Sequence, residues 1–321
     1  MHRAIGERQR WAWLAAGTSA VVAAQLSGLQ WLWVLLGGGV VTAYYLYIDK
    51  QLGCEGLADR LSSVFGFSGK VIAVLFLFWL ILTMGRCACL ADLAFPTVDG
   101  FPGLGWVLLA LAAWGSRKGS AACAGCGGVL CLFLLALYAL IAAFAAPNVQ
   151  LEYLRPSADY KQGICALGLL LVPAVVWCIP VKEQKGSCRK LFLLLPVAAA
   201  GLCAVTSGVL SPELAKTRAV PVYDLARSVS ILGVVERIEP LLSAAMTMGI
   251  FCLLSALASA CRVLADQLGQ WQWSGSLCCL AAGAAMYPVK TLPQDLFIAG
   301  NTIFFLILPA VIVMAQKKLK K

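Results

Sequence analysis

The chain has 321 residues, 61% of them hydrophobic and only 12% charged, with a formal net charge of +10. Soluble domains carry about 25% charged residues, so this composition excludes an ordinary water-soluble protein, and the positive surplus fits membrane-flanking loops better than a nucleic-acid-binding face. The one histidine is His2, in the N-terminal tail, which excludes a Ser-His-Asp triad or an HExxH zinc site.

The basic N-terminus (Arg3, Arg8, Arg10) runs straight into apolar sequence with no small-residue cleavage site, so a cleavable signal peptide is not expected. A helix needs about 20 apolar residues to cross a bilayer and satisfies its backbone polar groups internally. Hydropathy predicts ten spans, at 11–27, 30–48, 71–93, 103–116, 121–146, 163–180, 190–210, 238–262, 274–289 and 296–315. The fourth and ninth are short. The predicted fold is an all-α membrane protein forming a single polytopic domain over residues 1–321.

Two connections carry amphipathic helices. Between spans two and three, Leu57, Leu61, Val64 and Phe65 share a face. Between spans seven and eight, Leu225, Val229 and Leu232 do the same. Cations collect on one side: Arg3, Arg8, Arg10, Lys50, Arg60, Lys70, Arg117, Lys118, Lys182, Lys185, Arg189, Lys190, Arg262 and the lysines from Lys317 onward. The other side holds Arg155, Lys161, Lys216, Arg218, Arg227, Arg237 and Lys290. The positive-inside rule makes the first side cytoplasmic. Both termini then lie inside, which requires an even number of spans. The two amphipathic helices fall on opposite faces at equivalent places if the chain is a 5+5 inverted repeat. Repeat one covers about 11–146 and repeat two about 163–315.

Most of the 14 cysteines lie within apolar runs, among them Cys131, Cys203, Cys252, Cys278 and Cys279, and read as small packing residues. Cys123 and Cys126 form an isolated CxxC at a span start with no histidine nearby. It is read as packing rather than as a redox or metal site, and no metal or other cofactor is expected.

In an inverted-repeat transporter the ligand lies at mid-membrane, where the first span of each repeat is broken. Span one carries Gly17-Thr18-Ser19, its polar cluster. Span six carries Pro173 after Gly168, and a proline there frees backbone groups. Small and hydroxyl residues also serve ordinary helix packing in membranes. Span three offers Trp79, Thr83, Met84 and Arg86 beside this site, and span eight offers Ser243, Thr247 and Ser255. Arg86 either snorkels to the outer end of its span or pairs with Glu236 and Glu239 as a gate or subunit contact. The two glutamates equally suit an acidic helix start. The span interiors are otherwise nearly free of charge, with no evident buried acid to carry protons.

Several short motifs resemble the permease-like B subunits of spore germinant receptors (the GerAB type). They are Tyr223-Asp224-Leu225-Ala226-Arg227-Ser228-Val229-Ser230-Ile231 leading into Val235-Glu236-Arg237-Ile238-Glu239, Arg117-Lys118-Gly119 entering span five, and Leu151, Leu154 and Pro156 in an exit loop. Arg86 late in span three, Leu171-Val172-Pro173 and Ile179-Pro180-Val181-Lys182 complete the set. The chain departs from the family in three places. Span one has no small-residue run followed by proline, the loop after it is very short, and span six lacks an acidic residue. The family belongs to the amino acid–polyamine–organocation superfamily. The resemblance implies a LeuT-like fold, a spore inner or cytoplasmic membrane location, a small nutrient such as an amino acid as ligand, and A-type and C-type receptor subunits as partners. The expected function is nutrient sensing, with Gly17, Thr18, Ser19, Pro173, Trp79 and Thr247 at the ligand. The alternative is a secondary active amino-acid transporter of the same fold. A membrane enzyme or scaffold is disfavoured, because no catalytic constellation is present.

Overall fold

A computed structural model describes residues 4–93, 103–155, 159–182, 193–228, 239–269 and 273–319. Among these the architecture is helical, and the one extended pairing is a parallel bridge between Ile5 and Val181. In chain order, α1 is Glu7–Val21, widening into a π turn at Val22–Leu26. Then come α2 (Trp31–Leu52), α3 (Leu57–Leu93), α4 (Leu104–Lys118) and α5 (Ser120–Ala145). After them α6 (Tyr160–Leu170) passes into a 3₁₀ segment, Val172–Cys178. The second half holds α7 (Leu195–Leu210), the short α8 (Pro212–Thr217) and α9 (Pro221–Ser228), α10 (Glu239–Gly269) and α11 (Ser274–Lys290). Finally, α12 (Gln294–Asn301) runs through a π turn at Thr302–Ile307 into α13 (Leu308–Leu319).

Six described stretches are long and apolar enough to cross a membrane: Trp31–Leu52, Leu57–Leu93, Ser120–Asn148, Tyr160–Cys178, Pro240–Gly269 and Gln294–Lys317. The predicted spans at 11–27, 103–116 and 274–289 also form helices, but shorter ones, and within 190–210 the described helix is Leu195–Leu210. The 15 residues of α4 rise only about 22 Å, against a hydrocarbon core of about 30 Å.

The surface these helices present is apolar. Val129 and Leu132 on α5 are 73% and 74% exposed. A water-soluble monomer avoids continuous apolar faces of this kind, and a helix bundle in lipid requires them. The chain is an all-α membrane protein. The Pro240–Gly269 and Tyr160–Cys178 stretches are each 72% buried, against 33% for Ser120–Asn148. They form the centre of the bundle and α5 lies at its edge. Around α10 pack α1, α3, α4, α5, α11 and the 3₁₀ segment.

The amphipathic stretch predicted between spans two and three is the first part of α3. Leu57 and Leu61 are buried, and the chain turns into the long span at Gly66, whose φ of 53° and ψ of −121° interrupt the helix. Only a glycine takes that conformation without strain. The second amphipathic stretch begins as α9, with Val222 and Leu225 buried. Val229 and Leu232 lie outside the described residues.

Candidate functional site

The site grows from the break in the sixth span. Pro173 has no amide hydrogen, and its ring opposes the carbonyl one turn earlier, so a helix cannot run through it unchanged. Accordingly α6 stops at Leu170 and the chain continues as the 3₁₀ segment, every residue of which is buried. A helix end leaves carbonyls without intrahelical partners, and in a bundle core these must be met by side chains. Tyr45 Oη donates to the Leu170 carbonyl at 2.5 Å. Asn301 Nδ2 donates to the Gly168 carbonyl at 3.1 Å, and Asn301 Oδ1 accepts from Trp79 Nε1 at 3.1 Å. Asn301 is fully buried. One amide thus joins the third span, the broken sixth span and the last span.

Aromatic and small residues close this junction. The Trp79 ring stacks on Phe304, with centroids 5.6 Å apart, and tilts against Phe297 at 5.2 Å. A Cβ at Gly300 would lie 2.1 Å from the Trp79 ring, and one at Gly168 would lie 2.6 Å from Ile298 Cγ2. Neither position admits a side chain while the helices keep this distance. Thr83 Oγ1 donates back to the Trp79 carbonyl at 2.9 Å.

Span one meets the break at the glycine singled out from sequence. A Cβ at Gly17 would lie 3.7 Å from Pro173 Cβ and 3.2 Å from Leu253 Cδ1. The expected interruption at Gly17-Thr18-Ser19 is absent, since α1 is helical through all three. The hydroxyls explain this. Thr18 Oγ1 donates to Leu14 O and Ser19 Oγ to Ala16 O, both at 2.8 Å. Such back-bonding satisfies a hydroxyl inside the helix without breaking it. The irregularity comes one turn later, as the π turn at Val22–Leu26.

The two hydroxyls face different surroundings. Ser19 lines a cavity of about 310 Å³ between α1, α5 and α7, together with Val22, Leu135, Tyr138, Leu202 and Val205. Tyr138 Oη is buried there without a hydrogen-bond partner among the described residues. Thr18 borders a void of about 10 Å³ near Thr42, Tyr45 and Leu170. Ser19→Ala is therefore expected to change ligand response more than Thr18→Val, with protein abundance equal in both. Titrating response against ligand in the two variants checks this, and unchanged response in both would remove span one from the site.

A wider groove of about 830 Å³ lies between α6 and α12, lined by Tyr160, Lys161, Gln162, Cys165, Gln294, Asp295, Ile298 and Thr302. It presents a cation from one helix and a carboxylate from the other. Ile298, which lines the groove, also packs on Gly168 of α6, two residues before that helix ends.

The remaining sequence candidates fall out as follows. Arg86 sets its guanidinium 4.7 Å from the centre of the Phe297 ring, beside Trp79. Glu236 lies outside the described residues, as does the side chain of Glu239, so the expected pairing with Arg86 falls there too. Thr247 is half-buried on α10, donates to Ser243 O at 2.8 Å, and lines neither the cavity nor the groove.

At the opposite end from the groove, the chain is tied shut. Arg10 Nη1 lies 3.3 Å from Asp49 Oδ1, both side chains 1% exposed, and Arg10 Nη2 donates to Ile179 O at 2.8 Å. Backbone bonds from Ile5 N to Pro180 O and from Val181 N to Cys54 O close the same knot. Arg60 adds bonds to Glu55, to the Leu52 carbonyl and to Gln316. This buried ion pair lies just outside the predicted spans 11–27 and 30–48, and joins the start of α1 to the last turn of α2. Asp49 escaped notice because it adjoins Lys50 at a span boundary, where charge is ordinary. Asn301 was missed too, although it carries a signal: it is an amide inside the apolar run 296–315. Compared with known proteins, the chain matches no family model and no curated protein sequence.

Proposed function

We propose that this protein is a permease-type membrane subunit that binds a small zwitterionic nutrient at the broken sixth span, as the B subunits of spore germinant receptors do. The observation that carries the reading is the α-to-3₁₀ break before Pro173, packed directly against Gly17 of the first span. A helix broken at mid-bundle is how membrane permeases expose backbone groups to a ligand. In this reading the four shorter helices complete ten spans in a 5+5 inverted repeat. Both termini face the cytoplasm, and the membrane is the cytoplasmic or spore inner membrane.

The groove between α6 and α12 is the outer approach. Lys161 meets the carboxylate of an arriving amino acid and Asp295 its ammonium group. In this reading Gly17 and Pro173 form the inner end of the site, and Ser19 lines the separate cavity between α1, α5 and α7. The Arg10–Asp49 knot keeps the inner end closed. A-type and C-type subunits read the ligand-bound conformation. A groove at one end and a tied knot at the other suit a sensor that shifts between two states.

The test is binding against accumulation, with the purified protein in liposomes and a panel of radiolabelled amino acids. Saturable binding without accumulation, weakened by Ser19→Ala, supports the sensing subunit. Accumulation driven by a proton or sodium gradient replaces it with a secondary transporter. Absence of both, with the protein folded, overturns the ligand site.

A further inference from the structure

A second cleft, of about 380 Å³, opens where α4 turns into α5 against α10. It plays no part in the nutrient reading. Gly119, with φ 112°, makes the turn in a single residue, so the 26-residue α5 starts immediately after α4 ends. The cleft is lined by Arg117 and Lys118, by the first turn of α5, and by Ser259, Arg262 and Asp266 of α10. Three cations against one carboxylate leave a surplus of two positive charges. The positive end of the α5 dipole adds to that field.

The surroundings place the cleft at headgroup depth. The Arg117 guanidinium lies 3.9 Å from the Trp273 ring, and its Nε donates to Ser276 Oγ at 3.0 Å. Lys118 Nζ lies 5.8 Å from the Trp114 ring. Both tryptophans are exposed. Tryptophan beside lysine and arginine at the ends of apolar helices marks the membrane–water interface. Arg262 donates to the Ser116 carbonyl and so pins the end of α4.

An independent feature points to a ligand. Ser259 is 3% exposed, and its hydroxyl is buried with no hydrogen-bond partner among the described residues. An unmade hydrogen bond at a buried hydroxyl is costly. An acceptor entering the cleft would relieve it. A phosphate oxygen accepts from a hydroxyl, an ammonium group, a guanidinium and helix amides alike.

We propose that this cleft binds a phosphate group, with Ser259 Oγ donating to it and Lys118 and Arg262 supplying the charge. The phosphate is carried either by an anionic phospholipid headgroup or by a free phosphate in the adjoining aqueous phase. Basic pockets between membrane helices are suited to the first.

The test uses the full chain purified in detergent, with Ser259→Ala and Lys118→Gln as variants. The probes are dioleoylphosphatidylglycerol, dioleoylphosphatidylcholine and inorganic phosphate. Retained lipid is counted by native mass spectrometry, and the thermal unfolding midpoint is followed alongside. The wild type is expected to retain phosphatidylglycerol over phosphatidylcholine and to gain in midpoint. Each variant should lose about three- to tenfold in affinity, the size expected for one hydrogen bond or one near-surface charge. Without ligand, Ser259→Ala should melt no lower than wild type, since it removes a hydroxyl that has no partner. That signature separates ligand binding from a structural role. If inorganic phosphate raises the wild-type midpoint and displaces the lipid, the source is free phosphate. If it does neither while the lipid binds, the source is the headgroup. Should Ser259→Ala fail to fold, the hydroxyl is structural and the proposal falls. It falls equally if both variants bind every probe as wild type does.

Discussion

Asp49→Ala is expected to destabilise the protein by about 3–5 kcal/mol, the cost of leaving a buried charge without its partner. Arg10 and Asp49 are both 1% exposed, so neither can recover its lost pairing from water. The Arg10 guanidinium would keep its bond to the Ile179 carbonyl but lose the carboxylate that pairs with it directly. Replacing both together, Arg10→Met with Asp49→Leu, should restore much of the loss, because an apolar pair of similar volume avoids the desolvation cost. Thermal unfolding of the two variants in the same detergent checks this. A double variant no more stable than Asp49→Ala would mean that the Ile179 contact, not the ion pair, holds this end. The consequence reaches function, because the knot joins α1, α2 and the chain after the 3₁₀ segment. Weakening it should favour a state open at that end, and ligand response should shift before expression does.

Asn301→Leu is expected to cost about 2–4 kcal/mol, since it leaves two buried groups, the Gly168 carbonyl and the Trp79 indole N–H, without partners. Leucine fills the volume but satisfies neither. Trp79→Phe tests the arrangement from the other side, removing one donor and leaving the Asn301–Gly168 bond in place. It should cost about 1 kcal/mol for the hydrogen bond, plus the lost packing against Phe304. Both variants are predicted to weaken binding of the proposed ligand, Asn301→Leu more, because Asn301, unlike Trp79, donates directly to a carbonyl at the break. Equilibrium binding and unfolding midpoints measured together check the order. If Asn301→Leu binds as wild type does, the junction is structural and the ligand lies elsewhere.

Much of the organisation was legible because hydropathy and helix length obey the bilayer alone. The apolar runs became helices, Pro173 ended the helix before it, and the stretch from Leu57 to Phe65 became a separate helical arm bent at Gly66. These outcomes follow from local rules: a missing amide hydrogen, an apolar face, a glycine free to take positive φ. The Gly17-Thr18-Ser19 cluster misled for a local reason as well. Its hydroxyls bond back to their own helix, and no sequence pattern distinguishes that from a break.

What the sequence by itself determined is the class, an all-α membrane protein, and the place where the sixth segment must break. Only the tertiary structure decided which groups satisfy that break. Asn301 reaches Gly168 across 133 positions of sequence, Tyr45 reaches Leu170 across 125, and Arg10 finds Asp49 in the next helix. In an apolar interior a backbone polar group left without a partner is costly. That cost fixes the partners in space, and it leaves almost no trace along the chain.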